Sequence, residues 1–339
     1  MALDVYLWFE KVGLRRRYTA PRPVISVGNL SVGGTGKTPV TAQICAELKL
    51  RGYNVVILSR GHGAALSGNH AISDENGSCL YDAQQSGDEP FLLAKLVPGV
   101  PVVIGKDRRK SVKLAMERFR PDIFVMDDGF QYWQLARDFD IVLLDTRNPI
   151  CNGFPLPRGL LREPKKNMNR ADAVLLTRHD AASAEESDNA RRIVALFAGQ
   201  AAVHEARHAP QNLQTFPLDS SSYLSTDYLV EKRVFVVSGI ARPDAFHDTI
   251  TGLRAIVCGS YVVADHHVYT DDDLVQVALS AHECRAEIVV TTAKDAVKWN
   301  DKSLDSTLEY LVLNIAAEVT NLNTLIDSIV RASLARKIV

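Results

Sequence analysis

From residue 24 onward, short continuous apolar runs alternate with stretches whose apolar positions recur at helical spacing. The continuous runs lie at 24–28, 55–59, 100–104, 123–126, 141–144 and 174–177, and helical patterns fill 39–51, 89–97 and 108–119 between them. A strand apolar at every position must be covered on both faces. Parallel strands also need helical crossovers. The pattern therefore predicts an α/β fold, a parallel sheet with helices on both faces, over 24–200. The alternation fades over 201–230, which holds Pro210, Pro217 and the serine run 220–222, and this stretch reads as a hinge or linker. It resumes with strands at 234–238, 256–263, 288–292 and 310–314 and helices from 243 and over 271–285. A second, smaller α/β unit is thus expected over 231–320, and 321–339 reads as a closing C-terminal helix.

The first 23 residues break this pattern. Val5, Trp8, Phe9 and Val12 fall on one helical face, and Lys11, Arg15, Arg16, Arg17 and Arg22 surround or follow them. An apolar face bearing aromatics beside an arginine cluster suits a helix lying in a membrane interface, with packing on the protein's own core as the alternative. No run approaches the ~18 apolar residues of a membrane-spanning helix.

The 339 residues carry 39 Lys+Arg against 40 Asp+Glu, a net charge of −1, which argues against nucleic-acid binding. The five cysteines at 45, 79, 151, 258 and 284 form no CxxC pair, so free thiols are expected rather than a zinc ribbon or disulfide framework. Nothing in the sequence calls for an obligate protein partner.

The strongest chemical signal follows the first strand. Residues 28–39 read GNLSVGGTGKTP, a glycine-rich turn ending in Gly-Lys-Thr before a helix. Glycines let backbone N–H groups turn inward toward phosphate oxygens, at the positive end of the following helix. Ser31, Val32, Gly33, Gly34, Thr35, Gly36, Lys37 and Thr38 are therefore expected to cradle a nucleotide, Lys37 reaching the outer phosphates and the Thr38 hydroxyl reaching Mg²⁺. Ser31 stands where the usual pattern begins with glycine. A phosphate loop needs further groups for the metal. Asp127 and Asp128, directly after the apolar run 123–126, are expected to supply them, with Gln131 sharing that shell by its position just beyond.

With these residues in view, the chain resembles the tetraacyldisaccharide 4′-kinase family, the lipid A 4′-kinases. The resemblance rests on the phosphate loop, whose non-glycine at position 31 the family tolerates, and on an ordered series of short motifs. They include Ser59-Arg60-Gly61, Gly87-Asp88-Glu89-Pro90, Asp127-Asp128-Gly129-Phe130-Gln131, Asn152-Gly153, Arg162-Glu163, Gly239-Ile240-Ala241-Arg242-Pro243, Asp265-His266 and the stretch from Lys294 to Lys298. The resemblance covers about residues 22–300. It implies a P-loop kinase that moves the γ-phosphoryl of ATP, with Mg²⁺, to the 4′-hydroxyl of a lipid-linked disaccharide 1-phosphate. It also implies work at the cytoplasmic face of the inner membrane, reached through the N-terminal segment.

The resemblance further implies that Asp88 and His266 form a catalytic pair, with Lys37 on the phosphates. Asp88 alone would read as a helix cap. His267 competes with His266, which is favoured because it follows Asp265 as in the family motif. The two partners lie in different expected units, so closure of the units would assemble the pair. The loop carrying Asn152, Arg162 and Glu163 is expected to face the lipid headgroup, with the Arg162 guanidinium suited to the acceptor's phosphate. His62 and Tyr132 depart from the family's usual Tyr and His. The role of Lys294 and Asp295 stays open between an ion pair and a nucleotide contact.

Overall fold

The computed structural model describes residues 17–218, 222–299 and 304–335. The expected interfacial helix lies outside them, apart from the short stretch 17–23.

The first half is built on strands β1 (Val24–Asn29), β2 (Val55–Ser59), β3 (His70–Ala71), β4 (Val102–Ile104), β5 (Ile123–Asp127), β6 (Phe139–Asp145) and β7 (Ala173–Thr177). Its helices are α1 (Lys37–Leu50), α2 (Ala83–Ser86), α3 (Asp88–Leu96), α4 (Arg108–Arg118) and α5 (Ala184–Phe197). The second half carries β10 (Arg233–Ser238), β11 (Ile256–Val262), β12 (Ile288–Thr292), α6 (Pro243–Gly252), α7 (Asp271–Glu283) and α8 (Ala293–Ala296). Strands β8 (Ala202–Thr215) and β13 (Glu309–Val319) join the halves, β9 (Tyr223–Leu224) pairs with β8, and α9 (Leu322–Ala335) closes the chain.

All these strands except β9 form one path, ordered β11-β10-β12-β13-β8-β7-β6-β1-β5-β2-β4-β3. Each half is parallel apart from the short edge strand β3. The junction β8–β13 is antiparallel. The stretch 201–230, read from the sequence as a hinge or linker, contains regular structure. Its first half is β8 (Ala202–Thr215), whose alternation is interrupted by Pro210, where the pairing slips between Asn314 and Ile315.

The offset of that junction decides where function can lie. The start of β8, Ala202–Ala206, pairs with β7, and the start of β13, from Glu309 to Leu313, pairs with β12. Between them the two strands pair only with each other. The two parallel halves therefore sit at opposite ends of a two-stranded ribbon, with the carboxyl ends of their strands facing each other. Loops at the carboxyl ends of parallel strands hold ligands, and here two such edges meet across one cleft.

The core is a set of apolar layers on both faces of the sheet. Ile25, Val27, Ile57 and Val125 pack beneath Ile44 and Leu48 of α1. Leu325, Ile326 and Ile329 of α9 join this layer, so the chain's last helix returns to the first half. All five cysteines are free, and the Cys258 and Cys284 sulfurs lie 2.8 Å apart. Among the described residues no helix is long and apolar enough to cross a membrane.

Candidate active site

The phosphate loop runs from β1 into α1. Gly33 and Gly36 adopt φ of 111° and 78°, the left-handed region that favours glycine. Gly36 has a second reason to be glycine, since a Cβ there would overlap the His208 ring on β8. The Thr35 hydroxyl is buried without a protein partner, which fits a ligand oxygen at this point. On the other side of the loop, Arg178 donates to the Gly34 carbonyl at 2.5 Å and pairs with Asp145 at 2.6 Å. Arg242 of the second half reaches the same Asp145 carboxylate at 2.6 Å. Both halves thus hold the loop's flank.

Asp127 ends β5 and is 3% exposed. It accepts hydrogen bonds from the Thr41 hydroxyl at 3.3 Å and the Ser59 hydroxyl at 3.4 Å. Burial, with the charges of Glu89 and Asp128 nearby, pushes its carboxyl up to about 7. Asp128 turns the other way at φ 49° and meets Lys37 at 3.6 Å. Burial alone would raise its carboxyl, but Lys37 and Arg162 outweigh it and hold the group below its ordinary value. Arg108 begins α4 beneath this pair. Its guanidinium is 3% exposed, its Nε has no hydrogen-bond partner, and burial lowers its pKa against the support of Tyr132, Asp127 and Asp128.

The donor set fits a divalent cation. A buried carboxyl forced toward neutrality gains most from a neighbouring positive charge. Among the described residues no three His, Cys, Asp or Glu side chains converge into a closed metal cage. Mg²⁺ would take one or two protein oxygens here, the Asp127 carboxylate among them, and keep waters and phosphate oxygens in the rest of its shell. Gln131 fits less well than its position in the sequence suggests. Its amide nitrogen donates to the Asn29 carbonyl and Glu163, and its oxygen faces Arg162 at 3.5 Å.

The loop over 151–163 is stitched to the phosphate loop by backbone bonds. Val32 donates to the Leu160 carbonyl at 2.8 Å and Arg162 to the Leu30 carbonyl at 2.7 Å. This places the Arg162 guanidinium on Asp128, with Nη1 at 2.8 Å from both carboxylate oxygens. Asn152 is exposed and folds the loop on itself, donating to the Arg158 carbonyl and accepting from the Phe154 amide. Glu163 departs from its expected role at the acceptor. It is 1% exposed, and Arg170, Asn167 and Gln131 take its oxygens. A buried carboxylate so paired is part of the scaffold. Glu163→Ala is expected to cost about 3–5 kcal/mol of stability, because Arg170 would lose its charged partner while mostly buried. Chemical denaturation measures this. An unchanged midpoint with a raised acceptor KM would restore the acceptor role instead.

Asp88 opens α3 after Gly87, whose φ of 90° turns the chain sharply at this point. His266 lies on the loop after β11 at φ 63°. The two meet across the cleft, with Nδ1 of His266 2.9 Å from Oδ2 of Asp88. The other Asp88 oxygen accepts from the Glu89 amide at 2.9 Å. His267 goes elsewhere. Its Nε2 pairs with Asp273 at 3.0 Å, the residue that closes the capping box of α7 with Thr270. Two lysines complete the cluster. Lys294 contacts Glu89 at 3.1 Å and Asp265 at 3.0 Å, and Lys298 lies 3.9 Å from Asp88 and 3.3 Å from Asp295. Asp295 is fully buried and accepts from the Gly239 amide and the Thr292 hydroxyl. It therefore anchors the turn that presents both lysines.

Glu89, Lys298, Arg108, Asp145, Arg178 and Arg242 are the charged residues here that the sequence reading left without a role. Glu89, Arg242 and Lys298 lie within motifs that the resemblance already uses, a signal that could have found them. Arg108 looks like an ordinary exposed helix start, and only its burial reveals it.

A sequence profile of the tetraacyldisaccharide-1-P 4′-kinase family matches residues 2–332. The chain belongs to this family. It is 40% identical over 290 residues to a tetraacyldisaccharide 4′-kinase of Pelobacter propionicus, covering 85% of this chain and 77% of that one. A protein of the same name from an Anaeromyxobacter species is 44% identical over 286 residues, covering 84% and 76%. The crystal structure of LpxK from Aquifex aeolicus in complex with ATP superposes with a TM-score of 0.76 at 30% identity, covering 97% of this chain and 94% of that one. The fold described above is thus that of a P-loop kinase of this family.

Proposed function

We propose that this protein carries out its family's reaction, the ATP-dependent phosphorylation of a lipid A precursor at the 4′ position, with Asp88 and His266 as the pair that readies the acceptor hydroxyl. The acceptor is the tetraacyldisaccharide 1-phosphate and the product lipid IVA. The observation that carries the residue assignment is the 2.9 Å contact between His266 and Asp88, made between the two halves of the chain.

Phosphoryl transfer demands positioning and charge neutralisation more than covalent help. Lys37 and the amides of residues 31–38, at the positive end of α1, hold the phosphates of ATP. Thr38 and Asp127 would hold Mg²⁺, which neutralises phosphate charge when bound. Asp128 keeps Lys37 and Arg162 in place. Asp88 takes the proton of the sugar hydroxyl, and His266 orients that carboxylate by donating to Oδ2. Arg162 sits where the acceptor loop meets the phosphate loop and is the residue offered to the acceptor's own phosphate. The loop also exposes Phe154, Leu156 and Leu160, apolar side chains suited to a lipid acceptor. Activity at the inner-membrane surface, reached through the N-terminal segment, follows from the acceptor being a lipid.

The assignment is tested by γ-phosphoryl transfer to the lipid acceptor in detergent. Arg162→Ala is expected to raise the acceptor KM about tenfold or more with little change for ATP, the loss of a charge-assisted contact of roughly 1.5–3 kcal/mol. An equal rise in both constants would mean that Arg162 acts only through Asp128. Mg²⁺ should also bind better as pH rises through about 7, because the Asp127 carboxyl must lose its proton to take a cation. The same group makes the metal-free protein less stable over that rise. The folded form holds a proton there that the unfolded chain, ionising near the ordinary carboxylate value, has already released. Titration calorimetry with Mg²⁺ and a nucleotide at several pH values checks the direction.

A further inference from the structure

The stretch from Lys294 to Lys298 is the motif that the reaction as described leaves unused. Lys294 starts α8 on a turn fixed by the buried Asp295 carboxylate, so its position is set by the core of the second half. Its ammonium lies between the halves, on Glu89 at 3.1 Å and Asp265 at 3.0 Å. It has a third neighbour, Nε2 of His266 at 3.4 Å.

An ammonium has only hydrogens to give. A neutral imidazole carries one N–H and one acceptor nitrogen, and the bond at one nitrogen decides the state of the other. We propose that Lys294 is a positioning residue for the transfer: by donating to Nε2 it keeps the single ring proton of His266 on Nδ1, aimed at Asp88. His266 then serves as a fixed donor, and the proton of the acceptor hydroxyl goes to Asp88. The catalytic consequence rests on the reading of Asp88 given above, whereas the state of the ring can be measured by itself.

The surroundings are consistent with this division. Asp265 also faces Nε2, at 3.8 Å, and alone would favour a proton there. Lys294 lies closer and occupies the other oxygen of that same carboxylate. Asp88 and Glu89 approach from α3, Lys298 from the end of the α8 turn, and the His62 ring stands 5.4 Å from that of His266. Lys294 stays protonated in this setting. Burial works against its charge, but Glu89, Asp88 and Asp265 more than offset that and raise its pKa. Without it, the Asp88 and Asp265 carboxylates would face the ring with Lys298, 3.9 Å from Asp88, as the remaining cation of the cluster described above. A second ring proton would become favourable, and an imidazolium beside Asp88 makes that carboxylate a weaker base.

The test is imidazole ¹⁵N NMR on the full chain labelled at histidine, near neutral pH, with the His266 signals assigned by their loss in His266→Gln. Wild type is expected to show the Nδ1–H tautomer. Lys294→Met is expected to shift the ring toward the imidazolium or the Nε2–H form. In kinase assays the same variant should lower kcat by about 10–100-fold, the range for partners one shell out from a functional histidine. Its acidic limb of kcat/KM should move to higher pH, with KM for ATP little changed. Lys294→Arg, which keeps a donor and a charge, should restore most of the rate and guards against misreading a folding defect. An Nε2–H tautomer in wild type would overturn the proposal. So would an unchanged ring state in Lys294→Met with a rate loss equal at every pH, which would leave Lys294 as a bridge between the halves. If Asp88→Asn kept full activity while the tautomer result held, the fault would lie with the assigned base instead.

Discussion

Asp88→Asn is expected to lower kcat by about 10²–10⁴-fold, the usual contribution of a positioned general base. Asparagine keeps the size of the side chain and one accepting oxygen, enough for the contact with His266 or with the Glu89 amide but not for both. It removes the capacity to take a proton together with one of these two exposed contacts. ATP affinity and melting temperature should therefore stay close to wild type. A matched fall in ATP binding would show that Asp88 serves the nucleotide rather than the acceptor. His266→Gln should have a smaller effect, because it removes the orienting donor and leaves the carboxylate.

Lys37→Met is the second large effect expected. Lys37 stands at the first position of α1, 3.6 Å from Asp128 and beside the glycines that shape the phosphate loop. A fixed cation at the transferring phosphoryl contributes most as charge shifts in the transition state, so kcat should fall by about 10²–10³-fold. Its loss also removes one of the three cations that hold Asp128 ionised, the others being Arg162 and Arg108. Asp128 should then titrate higher, and the residual activity of Lys37→Met should fall off at a higher pH than that of wild type. Steady-state rates across pH, with nucleotide affinity measured separately, check both parts. A loss confined to ATP KM would place Lys37 in ground-state binding alone.

Much of this site was legible in the sequence because its parts lie in short continuous motifs. The turn at Gly33–Gly36 announces itself by composition, and the acid pair follows an apolar strand that can only be buried. The Asp88–His266 contact was reachable only through family resemblance, since no local pattern links residues 178 positions apart. Other features depend on tertiary placement. Nothing near Glu163 distinguishes a carboxylate facing a ligand from one enclosed by Arg170 and Asn167. The strand character of β8 was hidden because its ribbon portion is half-exposed and carries Pro210, so neither a continuous nor an alternating apolar run marks it. That strand is what turns two parallel sheets edge to edge and brings α3 opposite the loop after β11. Lys294 and Lys298 lie four positions apart, as on an ordinary solvated helix turn. Only the fold shows that both point into the cleft, onto Glu89 and Asp88 of the other half.

The most direct measurement is transfer of the γ-phosphoryl from labelled ATP to purified tetraacyldisaccharide 1-phosphate, in detergent with Mg²⁺, for wild type and Asp88→Ala. The account predicts a labelled lipid phosphorylated at the 4′ position with wild type and almost none with the variant, both proteins binding ATP alike. Full product from Asp88→Ala would contradict the central assignment of the site. Folded, ATP-binding wild type that yields no lipid product would contradict the proposed reaction itself.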